Sequence, residues 1–162
     1  MNVPLKYLPK RLTKKDKKKQ AKQLKKSKAA YKKGIYIHRK PVDSYKSKKS
    51  QHILNAERIY NIQNLSVNNE LANKTGCSIN ALNKIIKKGM GAYYSSGSRP
   101  NQTPHSWGIA RLASSISGGK AAAVDYNILA EGCKSGSKAL KLAKKSRIKN
   151  GYGTRKVPKK II

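Results

Sequence analysis

The chain of 162 residues has no phenylalanine, one tryptophan, two methionines, two cysteines and only six acidic side chains. Leu, Ile and Val number 12, 14 and 5. That is about a fifth of the chain, the border at which a sequence stops burying enough surface to fold unaided. No apolar run approaches the ~20 residues of a membrane span, so none is expected. The opening "MNVPLKYLPKRLTKKDKKKQ" has lysines but no hydrophobic core segment, so no secretory signal is expected there. Cys77 and Cys133 stand far apart, with no Cys or His at ligand spacing. They read as reduced, small apolar core residues, with a disulfide as the lesser alternative.

Catalytic signatures are missing as well. The few acids form no pair spaced for general acid–base work, and His38, His52 and His105 are scattered. "SSISGGKAAA" contains Gly119–Lys120, but a phosphate loop needs glycine where Ser114 stands and Ser or Thr where Ala121 stands. The chain reads as a non-enzyme, with no catalytic residue, no cofactor, no metal site and no small-molecule substrate.

Lysine and arginine are what it has in excess: 38 of them, for a formal net charge of +32. A compact monomer with that charge repels itself, so a polyanionic partner is expected: nucleic acid, an acidic protein lattice or an anionic membrane face. Residues 1–50 carry 19 basic and 2 acidic side chains, 51–130 carry 8 and 3, and 131–162 carry 11 and 1. This divides the chain into a basic arm (1–50), a central helical domain (51–133) and a basic tail (134–162).

In the arm, Thr13 followed by Asp16 resembles a capping box, and Gly34 is placed to end the helix that follows. Its apolar positions, Ala21, Leu24, Ala29 and Tyr31, make a thin stripe, so the helix is expected to rely on a partner. "GIYIHRKPVDSY" alternates like a short extended segment closed by Pro41. A disordered basic tail is the plainer alternative.

In the centre, Ser50 caps a helix with Ile53, Leu54, Ala56, Ile59 and Tyr60 at helical spacing. "NELANKTGCSINALNKIIKKG" follows, with Ala72, Gly76, Ser78, Leu82 and Ile85 spaced as in a helix-turn-helix, Gly76 making the turn, Ser78 capping the second helix and Leu82 and Ile85 forming its inner face. Its second helix, ending at Gly89, would offer Asn80, Asn83, Lys84 and Lys87 to nucleic acid. The same spacing also serves plain packing pairs.

"GAYYSSGSRPNQTPHSWG" comes next, nearly free of charge in a lysine-rich chain. Pro100 and the hydroxyls mark turns, and Thr103 or Ser106 can cap a helix through "SWGIARLASSIS". A last helix, "KAAAVDYNILAEG", is expected to bury Val124, Ile128 and Leu129. The loop reads as an ordered, partner-binding element made of Tyr93, Tyr94, Ser95, Ser96, Ser98, Arg99, Asn101, Gln102, Trp107 and Arg111. Trp107 is expected to be largely buried against the tyrosines or the first central helix, and Arg99 to be engaged as the charged tip. The fold class is therefore mainly α: a small helical domain with a helix-turn-helix-like pair and an ordered Ser/Gly/Pro loop, flanked by extended basic arms.

"KGMGAYYSSGSRPNQTPHSWGIARLASSISGGKAAAVDYNILAEGC" resembles a small uncharacterised domain of nucleocytoplasmic large DNA viruses, with relatives in marine phages. "LPKRLTKKDKKKQ", "YKKGIY" and "SKALKLAKKSRIKNGYGTRKVP" extend the resemblance over nearly the whole chain. It implies a virus-encoded protein packed into the virion, assembled in the host cytoplasm, and it transfers no catalytic residue. The first reading is a minor capsid protein whose arms cement or link acidic capsid neighbours. The alternative is a virion protein that condenses or reads genomic DNA through the helix-turn-helix.

Overall fold

A computed structural model describes residues 1–153 and 157–162. It is mainly helical, and its contacts gather into two units. Their described residues are 1–48, 90–107 and 157–162 for the first, and 49–89 and 108–153 for the second. This division differs from arm, centre and tail: the arm folds together with the uncharged loop. Residues 154–156 of the expected tail lie outside the described residues. Among the described residues, no helix is long and apolar enough to cross a membrane.

In the first unit, β1 (Asn2–Pro4) pairs antiparallel with β2 (Lys159–Ile161). A 3-10 turn (Leu5–Tyr7) leads to α1 (Lys14–Lys32). Thr13 caps α1 as the sequence predicts, its hydroxyl accepting from the Asp16 amide at 3.2 Å, and Gly34 follows the helix with φ +76°. The buried face of α1 is not the thin apolar stripe. It consists of Asp16, Gln20, Leu24 and Ser27, spaced along one side of the helix. Each polar member has a partner. Asp16 accepts from the amide and hydroxyl of Ser44, which hold its carboxyl below the usual carboxylate range. Gln20 Nε2 donates to the Tyr7 carbonyl at 3.2 Å, and Ser27 Oγ to that of Leu24 at 3.3 Å. Leu24 packs with Val3, Tyr7 and Leu8, while Leu12, Val42 and Tyr45 form a separate cluster. The basic arm therefore has polar as well as apolar contacts within the first unit.

The second unit begins with α2 (Gln51–Tyr60), capped by Ser50, and α3 (Asn69–Thr75), capped by Asn68. Gly76 makes the predicted turn at φ +76°, a region that favours glycine. Ser78 Oγ then accepts from the Ala81 amide at 3.1 Å to open α4 (Ile79–Ser95). Leu82 and Ile85 are fully buried, as their spacing requires. Gly89 does not stop α4. It is the point where α4 meets α5 (Pro104–Ile116): a Cβ at Gly89 would stand 2.6 Å from the Gly108 Cα. Thr103 and Ser106 cap α5 reciprocally, each hydroxyl accepting from the other's amide, at 3.0 and 2.9 Å.

The expected last helix is two, α6 (Lys120–Val124) and α7 (Tyr126–Gly132), which meet at Asp125. Leu129 is fully buried, but Val124 is exposed and Ile128 only half-buried; Asp125 takes the inner place instead. The expected basic tail also folds. Within it, α8 (Lys138–Asn150) buries Ala139, Leu140, Ala143 and Ser146, a stripe of mostly small residues that lets it pack on α6, α7 and α3. Cys77 and Cys133 are joined rather than reduced, because an antiparallel bridge sets their Cα atoms 3.8 Å apart.

Candidate nucleic-acid interface

The loop between α4 and α5 spends most of its polar groups on its own chain. Tyr93 is fully buried, and its hydroxyl accepts from the Arg39 amide at 2.8 Å. The Arg39 guanidinium lies 3.8 Å from the centre of the Tyr93 ring and donates to Ser27 Oγ, the Tyr93 carbonyl and Ser98 Oγ at 2.8–2.9 Å. Asn101 grips the extended segment from both sides, its Oδ1 accepting from the Val42 amide at 2.7 Å and its Nδ2 donating to the Val42 and Tyr45 carbonyls at 3.1 and 2.6 Å. Gln102 Oε1 accepts from Ser106 Oγ at 2.7 Å. These bonds explain the missing lysines: the segment is a clamp for residues 39–45, and long ammonium side chains have no place in it.

Several predicted partner contacts are therefore internal. Tyr93, Ser98 and Asn101 are committed to the fold. Arg111 is bound through Nε and Nη2 to both oxygens of Asp125, at 2.9 and 2.8 Å. Trp107 is half-buried and meets the edge of Tyr7, at 6.0 Å between ring centres, rather than a tyrosine of the loop. Arg99 is exposed, and its guanidinium has no hydrogen bond or ion pair among the described residues, so Arg39 rather than Arg99 is the engaged arginine. Ser96 is exposed and Ser95 half-buried. Tyr94 Oη shares a hydrogen bond with His38 Nε2 at 2.9 Å.

Among the described residues Arg39 has no ion pair with a carboxylate, and burial pulls its pKa below the usual value. Its three acceptors are spread as only a planar fork can satisfy. Arg39→Lys should therefore lower the unfolding free energy in urea by about 1–3 kcal/mol, the cost of leaving buried acceptors unpaired. Unchanged stability would show that an ammonium serves as well. Nothing in the local sequence pattern singles out Arg39; only its pairing with Ser27 of α1 and with Tyr93 and Ser98 reveals it.

Two of the exposed basic surfaces among the described residues bear on the predicted sites. On α4, Asn80, Asn83, Lys84 and Lys87 are all exposed, at a spacing that aligns them on one side of the helix. In the first unit, Lys19, Lys22 and Lys26 of α1 face His38, Arg39 and Lys40 across a cleft of about 290 Å³. Among its described residues this unit carries 21 basic and 2 acidic side chains, and neither acid, Asp16 nor Asp43, lines the cleft. Sequence periodicity missed the cleft because its two walls lie on separate segments.

The fold and these surfaces define a small, mainly helical and strongly basic protein. Residues 4–130 match the model of a family of unknown function, DUF5824, and the chain belongs to that family. No curated protein and no solved structure matches it.

Proposed function

We propose that the chain is a non-catalytic structural protein of a large DNA virus particle, and that it works by holding nucleic acid. The particle is proposed from the sequence resemblance alone; the observation that carries the nucleic-acid part of this reading is the concentration of positive charge on folded surfaces, greatest in the first unit. Such a surface binds phosphate backbones by releasing their counterions, without needing to read sequence. The exposed stripe of Asn80, Asn83, Lys84 and Lys87 supplies a second backbone contact, with the asparagines able to reach base edges.

Cementing of capsid neighbours is the second reading. It draws on basic arms that would lie as straps across neighbouring subunits. The first unit instead gives several of their polar groups partners within the chain, Asp16 with Ser44, Gln20 with Tyr7 and Arg39 with Ser98 of the loop, which favours the nucleic-acid reading over straps. Charge complementarity with acidic capsid surfaces still favours the capsid reading.

Gentle disruption of purified particles separates the two. The chain should stay with the nucleoprotein core after the shell is stripped, should cross-link to DNA under ultraviolet light, and should leave the core steeply as salt rises. Fractionation with the shell, without DNA adducts, would instead make it a capsid component. Its absence from particles would remove both.

A further inference from the structure

The cleft in the first unit has a fixed frame. Gln23 ties the extended segment to α1 in both directions, donating to the Lys40 carbonyl at 3.0 Å and accepting from the Lys40 amide at 2.6 Å. Lys19 Nζ donates to the Pro41 carbonyl at 2.9 Å. The ammonium groups of Lys22, Lys26 and Lys40, by contrast, have no hydrogen bond or ion pair among the described residues. Folding thus gathers like charges along about 10 Å of helix and leaves them without counter-charge. A bound polyanion would relieve that repulsion.

Beside the cleft stands a ladder of aromatic rings. Tyr31 and Tyr36 are 5.8 Å apart between ring centres, Tyr36 and Tyr94 are 5.0 Å apart, and Tyr94 is bonded to His38, which lines the cleft. The outer part of this ladder lies in water: Tyr36 is 63% exposed, and its neighbour Ile35 is 54% exposed. The Tyr36 ring is thus open to a flat partner face beside the cleft.

Lysines that track a backbone, next to exposed rings that accept flat apolar faces, match one ligand class. A single strand offers phosphates and unstacked bases together, whereas a duplex offers phosphates and keeps its base faces hidden. We infer that this surface binds single-stranded nucleic acid, with phosphates along Lys22, Lys26 and Lys40 and a base stacked on Tyr36. The inference deepens the nucleic-acid reading above and rests on it, but its test is separate.

Binding is measured by fluorescence anisotropy with a labelled strand of about 16 nucleotides and with the same sequence as a duplex, over a series of salt concentrations. Tyr36→Ala should weaken single-strand binding about 10-fold and leave duplex binding unchanged. The triple variant Lys22→Gln/Lys26→Gln/Lys40→Gln should flatten the salt dependence on the single strand by about 2 in slope. A control triple on α8, Lys141→Gln/Lys144→Gln/Lys145→Gln, should change it less. Tyr36→Trp should add a fluorescence signal, over that of Trp107, which the single strand quenches. All of the replaced side chains are exposed, and circular-dichroism melts should match the wild type.

An equal effect of Tyr36→Ala on both nucleic acids, or on neither, overturns the inference. So does an equal effect of the two triple variants. Duplex binding without single-strand binding would overturn it while leaving the chain a nucleic-acid-holding protein. Single-strand binding with these losses, in a chain that fractionates with the shell, would support it and remove the genome-holding role instead.

Discussion

Asp125→Ala should lower the unfolding free energy by about 3–5 kcal/mol, the usual cost of removing one partner from a buried ion pair. The Asp125 carboxylate is wholly buried and is held by Arg111 through two bonds, by Ser115 Oγ at 3.1 Å and by Lys88 Nζ at 3.4 Å. It also stands at the junction where α6 gives way to α7. Alanine would leave the Arg111 guanidinium, whose side chain is only 22% exposed, beside an apolar hole with no opposite charge. Lys88 cannot substitute, since it carries the same sign, and its side chain is half exposed and already solvated. Asp125→Asn keeps the shape and one acceptor, so it should cost less than alanine. Urea unfolding of the three proteins checks this order. A loss below about 1 kcal/mol for alanine would place the pair in the class of weak, solvent-screened contacts.

Asp125 also shows where the sequence could be read and where it could not. Features that act within a few residues were legible: the caps at Thr13, Ser50, Ser78 and Thr103, and the left-handed turn at Gly76. Such signals depend on local hydrogen bonding and on φ alone. What could not be read depends on partners distant in sequence. Asp16, Gln20 and Ser27 occupy the inside of α1 because Ser44, Tyr7 and Arg39 come to meet them, so a search for apolar periodicity selects other residues. Gly89 has the composition of a helix stop, yet serves the close approach of Gly108.

The candidate sites divide in the same way. Asn80, Asn83, Lys84 and Lys87 are exposed as their helical spacing requires. The Ser/Gly/Pro loop is ordered, as its composition predicts, but what Asn101 grips is the Val42–Tyr45 stretch of its own chain. An ordered loop has the same composition whether it grips a partner or its own chain. The cleft needed α1 and residues 37–40 side by side, and no local pattern encodes that pairing.

Reducing the Cys77–Cys133 bond should destabilise the protein by about 4 kcal/mol, from the chain entropy that a loop of this length regains when unfolded. The two cysteines are separated by 56 residues, and both are buried. Alone and with lysines throughout the chain, they carry no spacing signal, which is why they read as free thiols. What joins them is the backbone: the Ser78 amide donates to the Gly132 carbonyl, and the Lys134 amide to the Gly76 carbonyl, both at 2.8 Å. Because those bonds survive reduction, the reduced protein should keep its helical circular dichroism at low denaturant and lose only its margin of stability. Urea unfolding with and without dithiothreitol measures that margin, and Cys77→Ala/Cys133→Ala should match the reduced form to within the cost of the lost sulfur packing. Should the oxidised and reduced proteins unfold at the same urea concentration, the link would contribute nothing beyond the two backbone bonds. A large gap would make the oxidation state decisive. A cytoplasm rich in glutathione favours the thiols, so a chain made there starts as the weaker form and gains its full stability only on oxidation.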